Sequence, residues 1–204
     1  MTGGPRPDPA GRIPSGGLRE LGPVNWLLAK FAARTVRVPE MHLFTTLGRH
    51  RRLFRVWLAY SGVLLRGRLP RADTELVILR VAQLRACGYE LQHHRRMARR
   101  RGLDAKTQDA IVAWPQGTGE PGDRLTPRQQ ALLRATDEFV TNRSISAGTW
   151  QALTCHFDLR QLIEFCMLAA QYDGLAATIS ALDVPLDHPQ DRQQPGGPAR
   201  GDAG

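Results

Sequence analysis

What this chain lacks narrows it quickly. Only three cysteines occur, Cys87, Cys155 and Cys166. They are too few and too scattered for a disulfide framework, no CxxC is present, and no pair has zinc-ligand spacing. Thiols in a reducing compartment fit best, so a cytoplasmic location is expected. No apolar run approaches the ~20 residues needed to cross a bilayer, and no membrane partner is expected. The stretch Met1 to Gly17 is rich in Gly and Pro and has no apolar segment of the secretory kind. Lysine is nearly missing: of the 28 basic residues only Lys30 and Lys106 are lysine. The formal net charge of +9 is therefore an arginine excess, and no zinc-finger, RRM or KH signature accompanies it. Its densest cluster, His93 to Arg101, falls on a predicted helix and reads first as a solvated face or a subunit contact. Nucleic acid is not the expected partner.

What is present is apolar periodicity. The chain has 204 residues, 42% of them apolar, enough for one domain with a sizeable core. The spacing predicts helices over residues 25–34, 41–48, 53–66, 71–86, 89–101 and 104–113, and no strand ladder. The stretch from Trp114 to Asp123 is a Pro/Gly loop. Beyond it, Thr126-Pro127-Arg128-Gln129 is a capping box with proline at the first helical position. Ser146 and Asp158 are candidate caps of two further helices, the last running to about Leu182. The helix after Pro70 is apolar nearly all round and should be buried. The expected layout is a disordered tail over 1–17, a single helical domain over 18–187 and a second disordered tail over 188–204.

One constellation can carry chemistry. Residues on a helix advance by about 100 degrees each. His94 then lies within roughly 20 degrees of Cys87 and Glu90 within about 60, so the three share a face. His93 falls well off it. A carboxylate and an imidazole one turn apart can serve as general acid and general base. Burial would raise the Glu90 carboxyl toward neutrality. Cys87 sits near a helix N-terminus, where the dipole favours thiolate. The same spacing also fits a simple surface pair of Glu90 and His94, with Cys87 as a small core residue.

The stretch Leu69-Pro70, Glu75-Leu76-Val77, Arg80-Val81-Ala82, Tyr89-Glu90, His94, Ala98 and Gly102-Leu103 resembles the carboxymuconolactone decarboxylase family. That family shares its fold with alkylhydroperoxidase D. Asp137-Glu138, Trp150, Tyr172 and Val184-Pro185-Leu186-Asp187 extend the resemblance, which covers roughly residues 43–187. It implies an all-α, alkylhydroperoxidase D-like oligomer, a homotrimer or homohexamer, with no metal and no organic cofactor. The peroxidase branch uses a glutamate, a CxxC pair and a histidine as a proton relay. These positions match Glu75, Cys87, residue 90 and His94. Here residue 90 is Glu, so the second thiol of the redox pattern is missing. Tyr89-Glu90 is closer to the decarboxylase-like branch, although that branch has an aromatic residue where this chain has Leu91.

Three functions follow as expectations. The first is a cofactor-free lyase or isomerase acting on a small carboxylic acid, lactone or pathway intermediate. In it Glu90 and His94 move a proton, Glu75 orients His94 or holds it protonated, and Arg80, Tyr89 and Arg95 are candidates for holding the substrate. The second is a thiol peroxidase centred on Cys87. The third is a non-catalytic oligomer that binds a partner.

Overall fold

The computed structural model describes residues 11–115 and 125–188. Among these residues every regular element is a helix. They run α1 Leu18–Val36, α2 His42–Leu47, α3 Arg51–Leu65, α4 Arg71–Leu84, α5 Gly88–Arg100, α6 Ala105–Ala113, α7 Pro127–Asn142, α8 Ala147–Thr154 and α9 Leu159–Leu182. The all-α class is as expected, and most helices lie within two residues of their expected bounds.

α4 is the axis of the fold. A helix that is apolar on every side must be covered on every side. Leu76, Val77, Ile78, Leu79, Val81 and Ala82 are fully buried, and α5, α6, α7 and α9 pack around them. Each large aliphatic side chain so buried contributes about 1.5–3 kcal/mol. α9 supplies the opposing surface with Leu162, Phe165, Leu168, Ala169 and Tyr172. It is long and apolar enough to span a bilayer by length and composition, but here it lies against α3, α4, α7 and α8.

Local chemistry sets the helix starts. Thr126 and Gln129 form the expected capping box, with Pro127 first in α7. Ser146 accepts from the Thr149 amide, and Asp158 pairs with Gln161 in a second capping box. Pro70 precedes α4 rather than lying inside it, and its carbonyl accepts the first helical bond from Thr74. α1 begins earlier than the expected residue 25. A first turn ends at Gly22, whose φ of 72° breaks the helix before Pro23 restarts it. Arg51 closes that first turn by donating to the carbonyls of Arg19 and Glu20.

The turn between α4 and α5 matters most for the site. Ala86 adopts a left-handed φ of 50°, a conformation more often given to glycine. The Cys87 amide folds back onto the Ala82 carbonyl at 2.8 Å, and Cys87 becomes the residue that precedes α5.

The tail expected over 1–17 is described only in its second part. Residues 1–10 lie outside the described residues, but 11–17 are docked. The Arg12 amide donates to the Leu182 carbonyl and the Gly16 amide to the Thr45 carbonyl. Backbone hydrogen bonds to two helix ends replace the missing apolar anchors. The expected loop before α7 falls largely on residues 116–124, and the second tail on 189–204, both outside the described residues.

After α9 the chain clasps the molecule. Leu186 packs on the cluster of Leu43, Cys87 and Tyr89. The Asp187 carboxylate accepts from the Tyr89 hydroxyl at 2.6 Å and the His42 amide at 2.9 Å. It also bonds the rings of His42 at 2.6 Å and His93 at 2.9 Å. The His188 amide donates to Gln92 Oε1. Burial opposes ionisation of Asp187, but the hydrogen bonds from His42, His93 and Tyr89 outweigh it and hold the carboxyl well below the usual range. The bond to Asp187 raises the His42 imidazole against its own partial burial. Asp187→Asn should therefore lower the unfolding free energy by about 2–4 kcal/mol in urea titrations, because buried donors lose a charged acceptor. The ionic part of the clasp is complete between about pH 3.8 and 6.5, the unperturbed values of the two groups. The gap between wild type and variant should shrink as pH falls through the depressed Asp187 value. It should shrink also as pH rises through the raised His42 value.

Candidate active site

α4 and α5 bring the predicted residues together. Glu75 sits in the second turn of α4 with no exposed surface. A carboxylate buried this deeply must be paired, since an isolated buried charge is strongly disfavoured. Glu75 Oε2 lies 2.8 Å from His94 Nδ1, and Glu75 Oε1 accepts from the Arg101 guanidinium at 2.5 Å. With Glu75 ionised, Nδ1 carries the ring proton and Nε2 is the basic nitrogen. Tyr172 of α9 meets the His94 ring edge to face, with centroids 5.1 Å apart. Burial raises the Tyr172 phenol well above its ordinary value, and the charges of Glu75 and Glu90 add to the shift.

Glu90 is the opposite case. Only 3% of its surface is exposed, and neither carboxylate oxygen has a hydrogen-bond partner of normal geometry. Burial pushes its carboxyl up to about 8, opposed by the neighbouring Cys87 thiol and aided by the charge of Asp173. The raised carboxyl expected from the sequence is thus present, and its cause is desolvation.

Cys87 departs from expectation. The start of α5 does supply backbone amides that favour a thiolate, but burial outweighs them and the charge of Glu90 adds to it, pushing the thiol up to about 12. At neutral pH Cys87 is a protonated, buried thiol.

His94 faces Glu75, and His93 turns to Asp187. The three residues expected to hold substrate have these surroundings. Arg80 is committed to both oxygens of Asp137, at 2.5 and 3.1 Å, and to carbonyls at the end of α6. It lies about 140 degrees around α4 from Glu75. Tyr89 spends its hydroxyl on Asp187. Arg95 buries its Nε without a hydrogen-bond partner, and its carbonyl accepts from the Gln108 amide. The basic stretch on α5 is not one solvated face either. His93 and His94 are buried, Arg99 and Arg100 are exposed, and Arg101 enters the site. Arg101 was the missed residue, and the wheel carried its signal: it lies seven positions after His94, within roughly 20 degrees of it.

The arrangement offers a tethered imidazole, a buried acid of raised pKa and a protonated thiol on one end of α5. A cavity of about 580 Å³, lined by Leu47, Phe54, Trp57 and Leu175 among others, lies between α2, α3 and α9 and includes none of these groups. Among the described residues, no group of three or more His, Cys, Asp or Glu side chains could hold a metal ion.

The sequence profile of the carboxymuconolactone decarboxylase family matches residues 51–138, which contain Glu75, Cys87, Glu90, His94 and Arg101. Comparison with curated proteins finds no match. Among solved structures, a peroxidase-related protein from Silicibacter sp. is similar at a TM-score of 0.75 and 14% identity, covering 94% of this chain and 99% of that one. A protein from Ralstonia eutropha, described as an alkylhydroperoxidase AhpD core, gives 0.74 at 17% identity, covering 90% and 95%. The debrominase Bmp8, solved as a cysteine-to-alanine variant with 2,3,4-tribromopyrrole, gives 0.69 at 13% identity, covering 87% and 92%. At such identities the likeness concerns the fold. The chain thus carries the carboxymuconolactone decarboxylase family match over residues 51–138, on a helical fold shared with the AhpD-like proteins.

Proposed function

We propose that the chain is a cofactor-independent acid–base enzyme of the carboxymuconolactone decarboxylase kind, acting on a small carboxylic acid, lactone or related intermediate. The observation that carries the reading is the contrast between two groups on α5. Glu90 is buried with no charged partner and only the Cys87 thiol beside it, and it keeps its proton to about pH 8. His94 is tied through Nδ1 to Glu75, which leaves Nε2 for a substrate proton. His94 then acts as general base at a carbon next to a carbonyl, and Glu90 returns a proton to the product side. Such a pair contributes about 10²–10⁴-fold to rate per group.

Proton–deuterium exchange, followed by NMR across a panel of small keto acids and lactones in D₂O, tests this without knowledge of the product. A responsive compound should exchange with a rate that falls as pH rises through about 8, where Glu90 loses its proton. Glu90→Gln and His94→Ala should each lower that rate by about 10²-fold or more. Full activity in both variants would sink the mechanism.

Loss of activity in Glu90→Gln must not reflect unfolding, and the pKa gives the check. A carboxyl raised from 4.5 to about 8 contributes stability that is fully present below about pH 4.5 and is lost as pH rises to about 8. Glu90→Gln removes that loss. Urea midpoints should therefore move in the variant's favour between pH 5 and pH 8.

The thiol-peroxidase alternative has less support, since Cys87 is buried and protonated and residue 90 is a carboxylic acid. Mass spectrometry after stoichiometric peroxide should find Cys87 unmodified. A sulfenate there would reverse the ranking.

We extend the proposal to self-association as a homotrimer or homohexamer. Val24, Leu27 and Phe31, at helical spacing on α1, and Val56 and Val63, seven residues apart on α3, are exposed apolar side chains. Size-exclusion chromatography with light scattering should return three or six copies, and a monomer mass would refute it.

A further inference from the structure

Glu75 holds two cationic or potentially cationic groups, one on each oxygen: His94 Nδ1 on Oε2 and the Arg101 guanidinium on Oε1. A buried carboxylate with an imidazole as its sole partner draws a proton onto the ring, because the ion pair compensates the buried charge. An imidazolium cannot accept a substrate proton. Arginine changes this balance, since its guanidinium is charged at every accessible pH.

The fold puts Arg101 there by design of the helix end. α5 stops at Arg100, and Gly102 takes a left-handed φ of 91°. The Leu103 amide returns to the Ala98 carbonyl, and Leu103 is buried. Arg101 is thereby fixed just past the end of α5, about two helical turns after His94. Its side chain is 21% exposed while the carboxylate it meets is not exposed at all.

We propose that Arg101 is a positioning residue that keeps His94 neutral, with Nδ1 protonated and Nε2 free, by neutralising Glu75 in its place. The groups facing His94 support this. Glu75 of α4 is the one anion in direct contact with the ring. Glu90 of α5 keeps its proton to about pH 8 because it is buried, and the buried Tyr172 phenol of α9 keeps its proton also. Arg101 meets the other oxygen of Glu75. With Arg101 present, carboxylate and guanidinium cancel, and a proton on His94 would add an uncompensated second cation on the same carboxylate. The inference rests on His94 serving as the base, and it extends that reading to the group that makes the base available.

The test is the protonation state of His94, read by two-bond ¹H–¹⁵N NMR on the full-length protein at pH 7. Wild type should show one protonated and one unprotonated ring nitrogen, with the proton on Nδ1. Arg101→Gln should show the pattern of an imidazolium, with both nitrogens protonated. Arg101→Lys, which restores the cation, should return the neutral pattern. Exchange activity of Arg101→Gln should be tenfold or more below wild type at pH 7, and the ratio of the two at equal pH should narrow as pH rises, a convergence that a purely structural defect does not give. An imidazolium in wild type overturns the proposal even if Arg101→Gln fails to fold, and so does an unchanged neutral ring in Arg101→Gln. The NMR readout is independent of turnover. A chain in which Glu90 and His94 prove dispensable for activity can therefore still confirm or refute what Arg101 does.

Discussion

The burial of the Glu75 carboxylate is the constraint on which the rest of the site depends. α4 is covered on every side, so a charge in its second turn has no route to water. It must be met by side chains, and α5 meets it twice, with His94 and Arg101. That requirement fixes the rotation of α5 about its own axis. Once His94 faces α4, Glu90 one turn earlier is turned into the same dry interior, and His93 is turned away from it. The unpartnered acid is thus a consequence of the paired one. Breaking a buried pair of this kind costs about 3–5 kcal/mol, which is ample to hold a helix in register.

The two ends of this region treat carboxylates in opposite ways. Asp187 is surrounded by donors and ionises readily. Glu90 is surrounded by apolar groups, a thiol and another carboxylate's field, and resists ionisation. Both are buried, so burial alone does not decide the outcome. The number of donors that reach the oxygens does. The same rule explains Cys87: the amides at the start of α5 are too weak a set of donors to stabilise a thiolate in an apolar cluster.

The helices were legible because their signals are local. Capping residues at Thr126, Ser146 and Asp158, and the all-round apolar run after Pro70, act within a few residues of themselves. The pairing of Glu75 with His94 was legible through the resemblance, and the choice of His94 over His93 through the helical wheel. What stayed hidden was the destination of long polar side chains. Arg80, Tyr89 and Arg95 lie near the motif in sequence, yet Arg80 and Tyr89 are used by Asp137 and Asp187, residues 57 and 98 positions away. No periodicity encodes such distant partners. Arg101 was hidden for a different reason: it stands in an arginine cluster that reads as surface, and spacing alone does not say that it reaches Glu75.

The Asp187 clasp also sets an order of events. Its carboxylate ties His42 of α2 to Tyr89 and His93 of α5, across separations of 145, 98 and 94 residues. Asp187 follows every described helix along the chain. During synthesis α2 and α5 emerge long before the residue that joins them, so the end of α5 bearing Cys87 is closed over by Leu186 only after α9 has left the ribosome. The nascent chain therefore passes through a stage in which its one buried, site-facing thiol is uncovered. Protection of that thiol waits on residues that follow α9.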